Sequence, residues 1–153
     1  MEVRPSREED KRPLAELYAA VAEERIYIGG EAPVDIEKRA ASWSLDGDFV
    51  AESDGGLIGQ IHVHATRHGY GEIGMMVAKD WRGRGVGTAL LETAIAWARA
   101  EGLHKLSLDV FPHNEAAIGL YRKLGFVEEG RRIEHYRRRS GELWDCIEMG
   151  LLL

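Results

Sequence analysis

The sequence predicts one α/β domain, α+β in its strand pairing: a central mixed, mostly antiparallel sheet of about six to seven strands flanked by about four helices. Three observations predict it. At 153 residues the chain suits a single domain, residues 1–153, with one substantial core. Its apolar residues recur with period two in some stretches and at helical spacing in others, in the order β-α-α-β-β-β-α-β-α-β-β. In mid-chain an apolar strand (Ile73, Met75, Met76, Val77) passes through a polar turn into Arg82-Gly83-Arg84-Gly85-Val86-Gly87. A helix follows at once, with Leu90, Leu91, Ala94, Ile95 and Ala98 on one face.

Taken in order, Glu2-Val3-Arg4 is a short strand stopped by Pro5. Ser6-Arg7-Glu8-Glu9 has the spacing of a capping box, and Asp10 is a competing N-cap because Pro13 is tolerated only in a first helical turn. Leu14, Leu17, Tyr18 and Val21 then form one buried stripe of a first helix. Glu23 to Pro33 contains Gly29-Gly30 and reads as a loop, and a second helix carries Ile36, Ala40 and Trp43 on one face. Phe49–Ser53 is a strand, Asp54-Gly55-Gly56 a hairpin turn, and Leu57–Thr66 the return strand. On that strand Gly59, Ile61, Val63 and Ala65 face one way and Gln60, His62 and His64 the other. The strand Tyr70–Val77 leads to the glycine loop and the long helix, with Gly102 as its C-cap. Leu106, Leu108 and Val110 alternate with Ser107 and Asp109 in a further strand. Asn114 opens a helix whose buried face is Ala117, Leu120, Tyr121 and Leu124, ended by Gly125. Phe126-Val127 and Leu143–Leu152 supply the last strands, hairpin-paired through Ser140-Gly141.

Composition excludes several function classes. With 44% hydrophobic and 30% charged residues the chain is globular, not disordered. No apolar run approaches the ~18–20 residues that span a bilayer, so no membrane association is expected. The opening MEVRPSREED has no apolar signal core, which predicts a cytoplasmic protein. The single Cys146 fits a reducing compartment and, in a late apolar strand, reads as a buried structural thiol. A net charge of −6 argues against nucleic acid as a partner and suits an amine-bearing one. The basic cluster Arg131, Arg132, Arg137, Arg138 and Arg139 reads as a solvated face, with cofactor phosphate, an acidic substrate or a partner subunit as alternatives. His62 and His64 share one side of a strand, but no third ligand has an evident spacing, and no metal is expected.

A strand, a glycine-rich turn and a helix start suit a bound phosphate. The first N–H groups of a helix have no internal partner and its dipole favours an anion there. Alternate glycines at 83, 85 and 87 keep Cβ atoms out of the way and permit positive φ, while Arg82 and Arg84 add charge. The spacing is not that of a Walker loop, since Thr88 follows Gly87 without a lysine, nor that of a GxGxxG dinucleotide fingerprint. What remains is R-x-x-G-x-G. Downstream stands Asn114-Glu115-Ala116-Ala117-Ile118-Gly119-Leu120-Tyr121-Arg122-Lys123-Leu124-Gly125-Phe126.

The two motifs, in this order and one strand–helix unit apart, resemble those of the GNAT superfamily of acetyl-CoA-dependent N-acetyltransferases. The element order agrees over essentially the whole chain. The resemblance implies that Met76, Val77 and Ala78 hold the pantetheine arm as a sheet-like extension. It implies that Arg82, Gly83, Arg84, Gly85, Val86, Gly87 and Thr88 surround the pyrophosphate of acetyl-CoA. The glycine-loop strand and the Lys105–Val110 strand are then expected to splay, with the thioester entering the gap. Asn114 approaches the cofactor arm, and Tyr121 donates a proton to the leaving thiolate. Asn114 and Tyr121 are two helical turns apart and so share a face. Acyl transfer to an amine needs a neutral nucleophile, a polarised carbonyl and a proton for the leaving group. Glu72, early on the glycine-loop strand, is the leading candidate for the base, with an ordered water as the alternative. By family topology Glu24, Arg25, Tyr27 and Trp144 are acceptor-site candidates. The expected acceptor is a small-molecule amine or a peptide amino terminus, attacked directly in a ternary complex, and a homodimer is a further expectation. The final YRRRSGELWDCIEMGLLL and the Arg25–Pro33 loop resemble phosphinothricin-related acetyltransferases. A non-catalytic acyl-CoA-binding module is the alternative, and a nucleotide-binding enzyme stands third.

Overall fold

The computed structural model describes all residues, Met1–Leu153. Its elements are β1 (Glu2–Pro5), α1 (Lys11–Glu23), α2 (Ile36–Ala41), β2 (Asp48–Ser53), β3 (Gly56–Ala65), β4 (Tyr70–Val77), α3 (Val86–Ala100), β5 (Lys105–Val110), α4 (Glu115–Lys123), β6 (Val127–Arg137) and β7 (Leu143–Leu152). The strands form one seven-stranded sheet in the order β1-β2-β3-β4-β5-β7-β6. Every neighbouring pair is antiparallel except β4 and β5, which run parallel. The expected element order and sheet type are what the structure contains.

Alternation along the strands sorts side chains between two faces. On one face Ile61, Val63, Leu106, Leu108, Val110, Ile147 and Met149 pack against Leu90, Leu91, Ala94, Ile95 and Ala98 of α3 and against Ile118 and Tyr121 of α4. On the other face a smaller cluster joins Val50 and Met76 to Leu14 and Val21 of α1, with Tyr18 and Trp43 packed against it. The stripe read from spacing on α3 is the one that buries, and Leu14 and Val21 of α1 bury with it; on α4 Tyr121 is joined by Ile118, outside the expected stripe, and α2 buries no residue. β6, the edge strand, is exposed along most of its length, so it carries no apolar period from which its extent could be read.

The β4–β5 ladder is short. It pairs Tyr70 with Lys105, Gly71 with Leu106 and Glu72 with Ser107, and stops there. Beyond that point β4 stays with β3 as far as Gly59↔Val77, while β5 stays with β7 as far as Val110↔Ile147. Each strand follows its outer neighbour and a gap opens between them. The splay expected from the resemblance is present.

The N-terminus departs from the expected caps. The Ser6 hydroxyl donates to the Asp48 carbonyl at 3.0 Å instead of closing a capping box. Asp10 precedes α1, but its carboxylate turns back to accept from the Arg7 N–H at 2.8 Å and from Arg4 at 2.7 and 3.0 Å. A charged partner next to the acid outbids the helix's own N–H groups for it. Trp43 also falls beyond the end of α2, and its indole N–H donates to the buried Asp48.

The basic cluster resolves into separate contacts. Arg131 pairs with Asp145 and Arg132 with Glu148 across the β6–β7 hairpin. Arg138 is 4% exposed and donates to the carbonyls of Gly29 and Ile28, and Arg139 donates to the Ala32 carbonyl. The hairpin end therefore clamps the loop between α1 and α2.

The Arg4–Asp10 pair sets a pH dependence. The hydrogen bonds from Arg4 hold the Asp10 carboxyl below its ordinary value, against the opposing effect of burial. A depressed pKa contributes stability above the unfolded value, near 3.9, that is lost as pH falls through the folded one. Asp10→Ala should therefore cost about 2–3 kcal/mol at pH 7 by thermal or denaturant unfolding. The difference from wild type should shrink as the titration is carried below pH ~4. A pH-independent difference would assign Asp10 a packing role only.

Candidate active site

The gap between β4 and β5 opens into a cavity of about 890 Å³. One end is walled by Gly83, Gly85, Gly87 and Thr88 of the glycine loop and α3, and the middle by Met75, Met76, Val77, Asn114, Leu120 and Tyr121. The other end is walled by Tyr18, Arg39, Trp43, Gln60, His62 and Asp109. A second cavity of about 700 Å³ contains Glu72. It shares His62, Ile73, Asp109 and Tyr136 with the first, so the two adjoin across those residues.

The glycine loop fits a pyrophosphate for local reasons. Gly83 and Gly85 hold φ of +71° and +86°, and a Cβ at either would meet nothing within 4 Å, so the loop presents bare backbone to open space. Ala89 N–H bonds back to the Gly85 carbonyl at 3.1 Å, which leaves the preceding N–H groups of Val86, Gly87 and Thr88 as the free donors of the helix start. Gly87 has a different reason from the one its spacing suggests. Its φ is not positive; a Cβ there would stand 2.9 Å from Leu120 Cδ2, so it lets α3 approach α4.

The edge of β4 that faces the gap is unpaired after Glu72, which leaves Val77 able to extend the ladder to a bound arm; Met76, in register with Gln60 and two residues before Ala78, turns its N–H and C=O toward β3 instead, a departure from the expectation. Ala78 departs from the expectation: its N–H donates to the Ile58 carbonyl at 2.8 Å. Asn114 caps α4, its side-chain oxygen accepting from Ala117 N–H at 3.3 Å, and it also lines the cavity. Capping and a place in the cavity wall therefore coexist. Tyr121 is 7% exposed, packs against Phe126 and lines the cavity, and burial pushes its pKa up to about 12.

Arg82 stands apart from the expected phosphate ligands. Both guanidinium ends donate to Glu24 at 2.6 Å, Nε donates to the Val77 carbonyl at 3.1 Å, and the group lies over the Tyr27 ring. The pair ties the glycine loop to the end of α1, and Arg82 holds the Glu24 carboxyl below its ordinary value. Glu24, read as an acceptor-site residue, is this anchor and does not line the cavity. Arg84 folds over Trp81 and stays outside the cavity wall, and the Val86 side chain is buried in the core. Of the other acceptor candidates Tyr27 lines the cavity; Arg25 is exposed outside it, and Trp144 packs behind Phe111 and against Arg138.

Polar residues at the acceptor end were absent from the candidates, among them Arg39, Gln60 and Asp109. Asp109 lies two residues beyond the last β4–β5 pair and still pairs with Glu148 of β7, where the alternation with Leu108 and Val110 already turned it away from the core. Burial raises its carboxyl above the ordinary range, with Glu148 and Glu72 adding to this and Arg132 and His135 opposing. His62 is held below its ordinary value first by desolvation, then by Arg39 and His64. The Cys146 thiol is buried and its pKa is pushed up by that burial, as a structural thiol requires.

Gly85→Val tests the cradle. A branched side chain at φ +86° should cost at least about 1–2 kcal/mol of stability. It should also weaken CoA binding in calorimetry by about tenfold or more. Unchanged affinity would remove the loop from the phosphate site.

The sequence matches the acetyltransferase (GNAT) family over residues 14–126. It is 32% identical over 115 residues to an L-methionine sulfoximine/L-methionine sulfone acetyltransferase of Pseudomonas aeruginosa, covering 68% of this chain and 67% of that one. It is 33% identical over 109 residues to an L-amino acid N-acetyltransferase of Escherichia coli, covering 69% of this chain and 62% of that one. Among solved structures, a ribosomal-protein-alanine N-acetyltransferase from Brucella melitensis superposes with a TM-score of 0.89 at 29% identity, over 100% of both chains. A splayed sheet, a glycine loop with free N–H groups at the start of α3, and a matching family sequence agree, and the chain belongs to the acetyltransferase (GNAT) family.

Proposed function

We propose that this acetyltransferase transfers an acetyl group from acetyl-CoA to the primary amine of a small molecule, with amino acids favoured over peptide amino termini as acceptors. The observation that carries the reading is the cavity that runs from the glycine loop past Tyr121 to a separate polar end. The relatives named for methionine sulfoximine and L-amino acids support the acceptor class. Bound acetyl-CoA supplies the activated acyl group as a thioester.

The roles of the residues follow from their positions. The N–H groups of Val86, Gly87 and Thr88 hold the pyrophosphate, and the free edge of β4 at Val77, with Asn114, holds the arm, while the Met76 side chain lines the cavity. Tyr121 donates a hydrogen bond to the departing sulfur. Burial pushes the Tyr121 pKa up to about 12, well above that of an ordinary thiol near 8.5, so full proton transfer from the buried phenol to such a thiolate is uphill by about 5 kcal/mol. The same desolvation raises a thiol in that gap and narrows the difference. Tyr121 thus stays protonated and serves as a donor throughout.

Glu72 is the proposed base, receiving the amine proton across the wall that the two cavities share. His62 and Asp109, which line both, form that route. The attack is direct, with no covalent enzyme intermediate. We further propose a cytoplasmic homodimer. No helix is long and apolar enough to cross a membrane, and exposed Val127 and Ile133 on the edge strand β6 support self-association, which light scattering tests.

A thiol-release assay over amino acids, polyamines, aminoglycosides and peptide amino termini tests the acceptor class; turnover confined to peptides would reject it. Tyr121→Phe should lower kcat by about 10²–10³-fold while leaving CoA affinity intact, and normal turnover would remove Tyr121 as the donor. Glu72→Gln should lower kcat/KM by about 10²-fold at pH 7, with the gap closing toward pH ~10, where the amine arrives unprotonated. A loss equal at both pH values would take the base role from Glu72.

A further inference from the structure

One arginine in the cavity wall has no partner for its guanidinium edge. Arg39, on α2, lines the acceptor end, makes no ion pair, and its Nε is buried without a hydrogen-bond acceptor. Its guanidinium lies flat against Tyr18, 3.7 Å from the ring centroid, with Trp43 at 5.2 Å. Both aromatics are held in place. The Trp43 indole donates to buried Asp48 at 3.0 Å, and Tyr18 is backed by the loop at Gly30, where an added Cβ would fall 1.8 Å from its hydroxyl oxygen. The arginine is therefore fixed by stacking on its faces, while its N–H edge is unclaimed by the protein. The other guanidiniums near the site are engaged: Arg82 by Glu24 and Arg138 by the Ile28 and Gly29 carbonyls. Asp46 lines the same cavity and does not pair with Arg39. A partly buried cation without a partner is costly, and a planar fork of donors matches a carboxylate.

We infer that Arg39 is the anchor for the α-carboxylate of the acceptor, so that the enzyme selects α-amino acids over amines that lack an acid group. The inference rests on the acetyltransferase reading above and names its acceptor more narrowly. In an α-amino acid the amine is one carbon from the carboxylate, so a carboxylate held at Arg39 keeps the amine in the same end of the cavity as His62, whose titration registers the Arg39 charge. Stacking on Tyr18 and Trp43 removes the freedom that an arginine would otherwise lose on binding, which favours affinity.

The test pairs L-methionine, L-leucine and L-glutamate with their α-amides as acceptors for wild type, Arg39→Gln and Arg39→Lys. In wild type at least one acid should exceed its amide by about 100-fold in kcat/KM, carried mainly by KM, as a charge-assisted bidentate contact implies. Arg39→Gln should collapse that ratio to near one and Arg39→Lys should keep part of it, with CoA affinity as the control for folding. Equal use of acid and amide by wild type, or an equal loss on both in Arg39→Gln, would overturn the anchor. Calorimetry on CoA-loaded protein separates this inference from the one beneath it. Arg39-dependent binding of an amino acid without thiol release would keep the anchor and reject the transferase reading. Absence of amino-acid binding would reject the anchor.

Discussion

β4 and β5 share three residue pairs and then part, and the chemistry of the protein depends on that parting. A ladder continued to Val77 and Val110 would spend the inner edge of β4 on β5 and close the space through which the cavity runs. Past the last shared pair each strand follows its outer neighbour, β4 with β3 and β5 with β7. Unpaired backbone edges are normally a liability. Here the edge lies inside a cavity, where an extended ligand can complete it. The two helices on the core face meet the gap from its ends: α3 presents its free N–H groups and α4 presents Asn114 and Tyr121.

Charge is distributed so that positioning and binding use different arginines. Arg4, Arg82, Arg131 and Arg132 are satisfied by carboxylates, and Arg138 donates to backbone carbonyls with Glu31 as its ion-pair partner. The exposed pairs on the β6–β7 hairpin contribute little stability, about 0–1 kcal/mol each. Their location matters more. Arg138 and Arg139 tie the hairpin end to the loop between α1 and α2, and Arg82–Glu24 ties the start of that loop to the phosphate cradle. The loop that bears Tyr27, Ile28, Gly29 and Gly30 on the cavity wall is thus held from both sides.

Local pattern and tertiary setting divided the site unevenly. The backbone parts of the cofactor cradle were legible because they follow from local order, a strand, alternate glycines and a helix start, which the chain carries in consecutive residues. Tyr121 and Asn114 were legible through the second motif, since helical spacing alone would make Tyr121 an ordinary core residue. Arg82, expected at the pyrophosphate, pairs with Glu24 in the structure, and a local motif does not show a competitor 58 residues away in sequence. Arg39, Gln60 and Asp109 were not legible. They lie on three separate elements, and only the packing of α1 and α2 over the open face of the sheet brings them to one cavity.

By itself, then, the sequence determined the element order, the apolar faces, the single-domain α/β class and the donor-binding end, since each depends on periodicity or on neighbours within a few residues. The tertiary structure alone decided the extent of the exposed edge strand β6, the partners of the basic cluster and the composition of the acceptor end. Those depend on which distant groups reach a charge first and on which strand pairs stop early. Such outcomes come from competition among long-range contacts, and no local spacing records them.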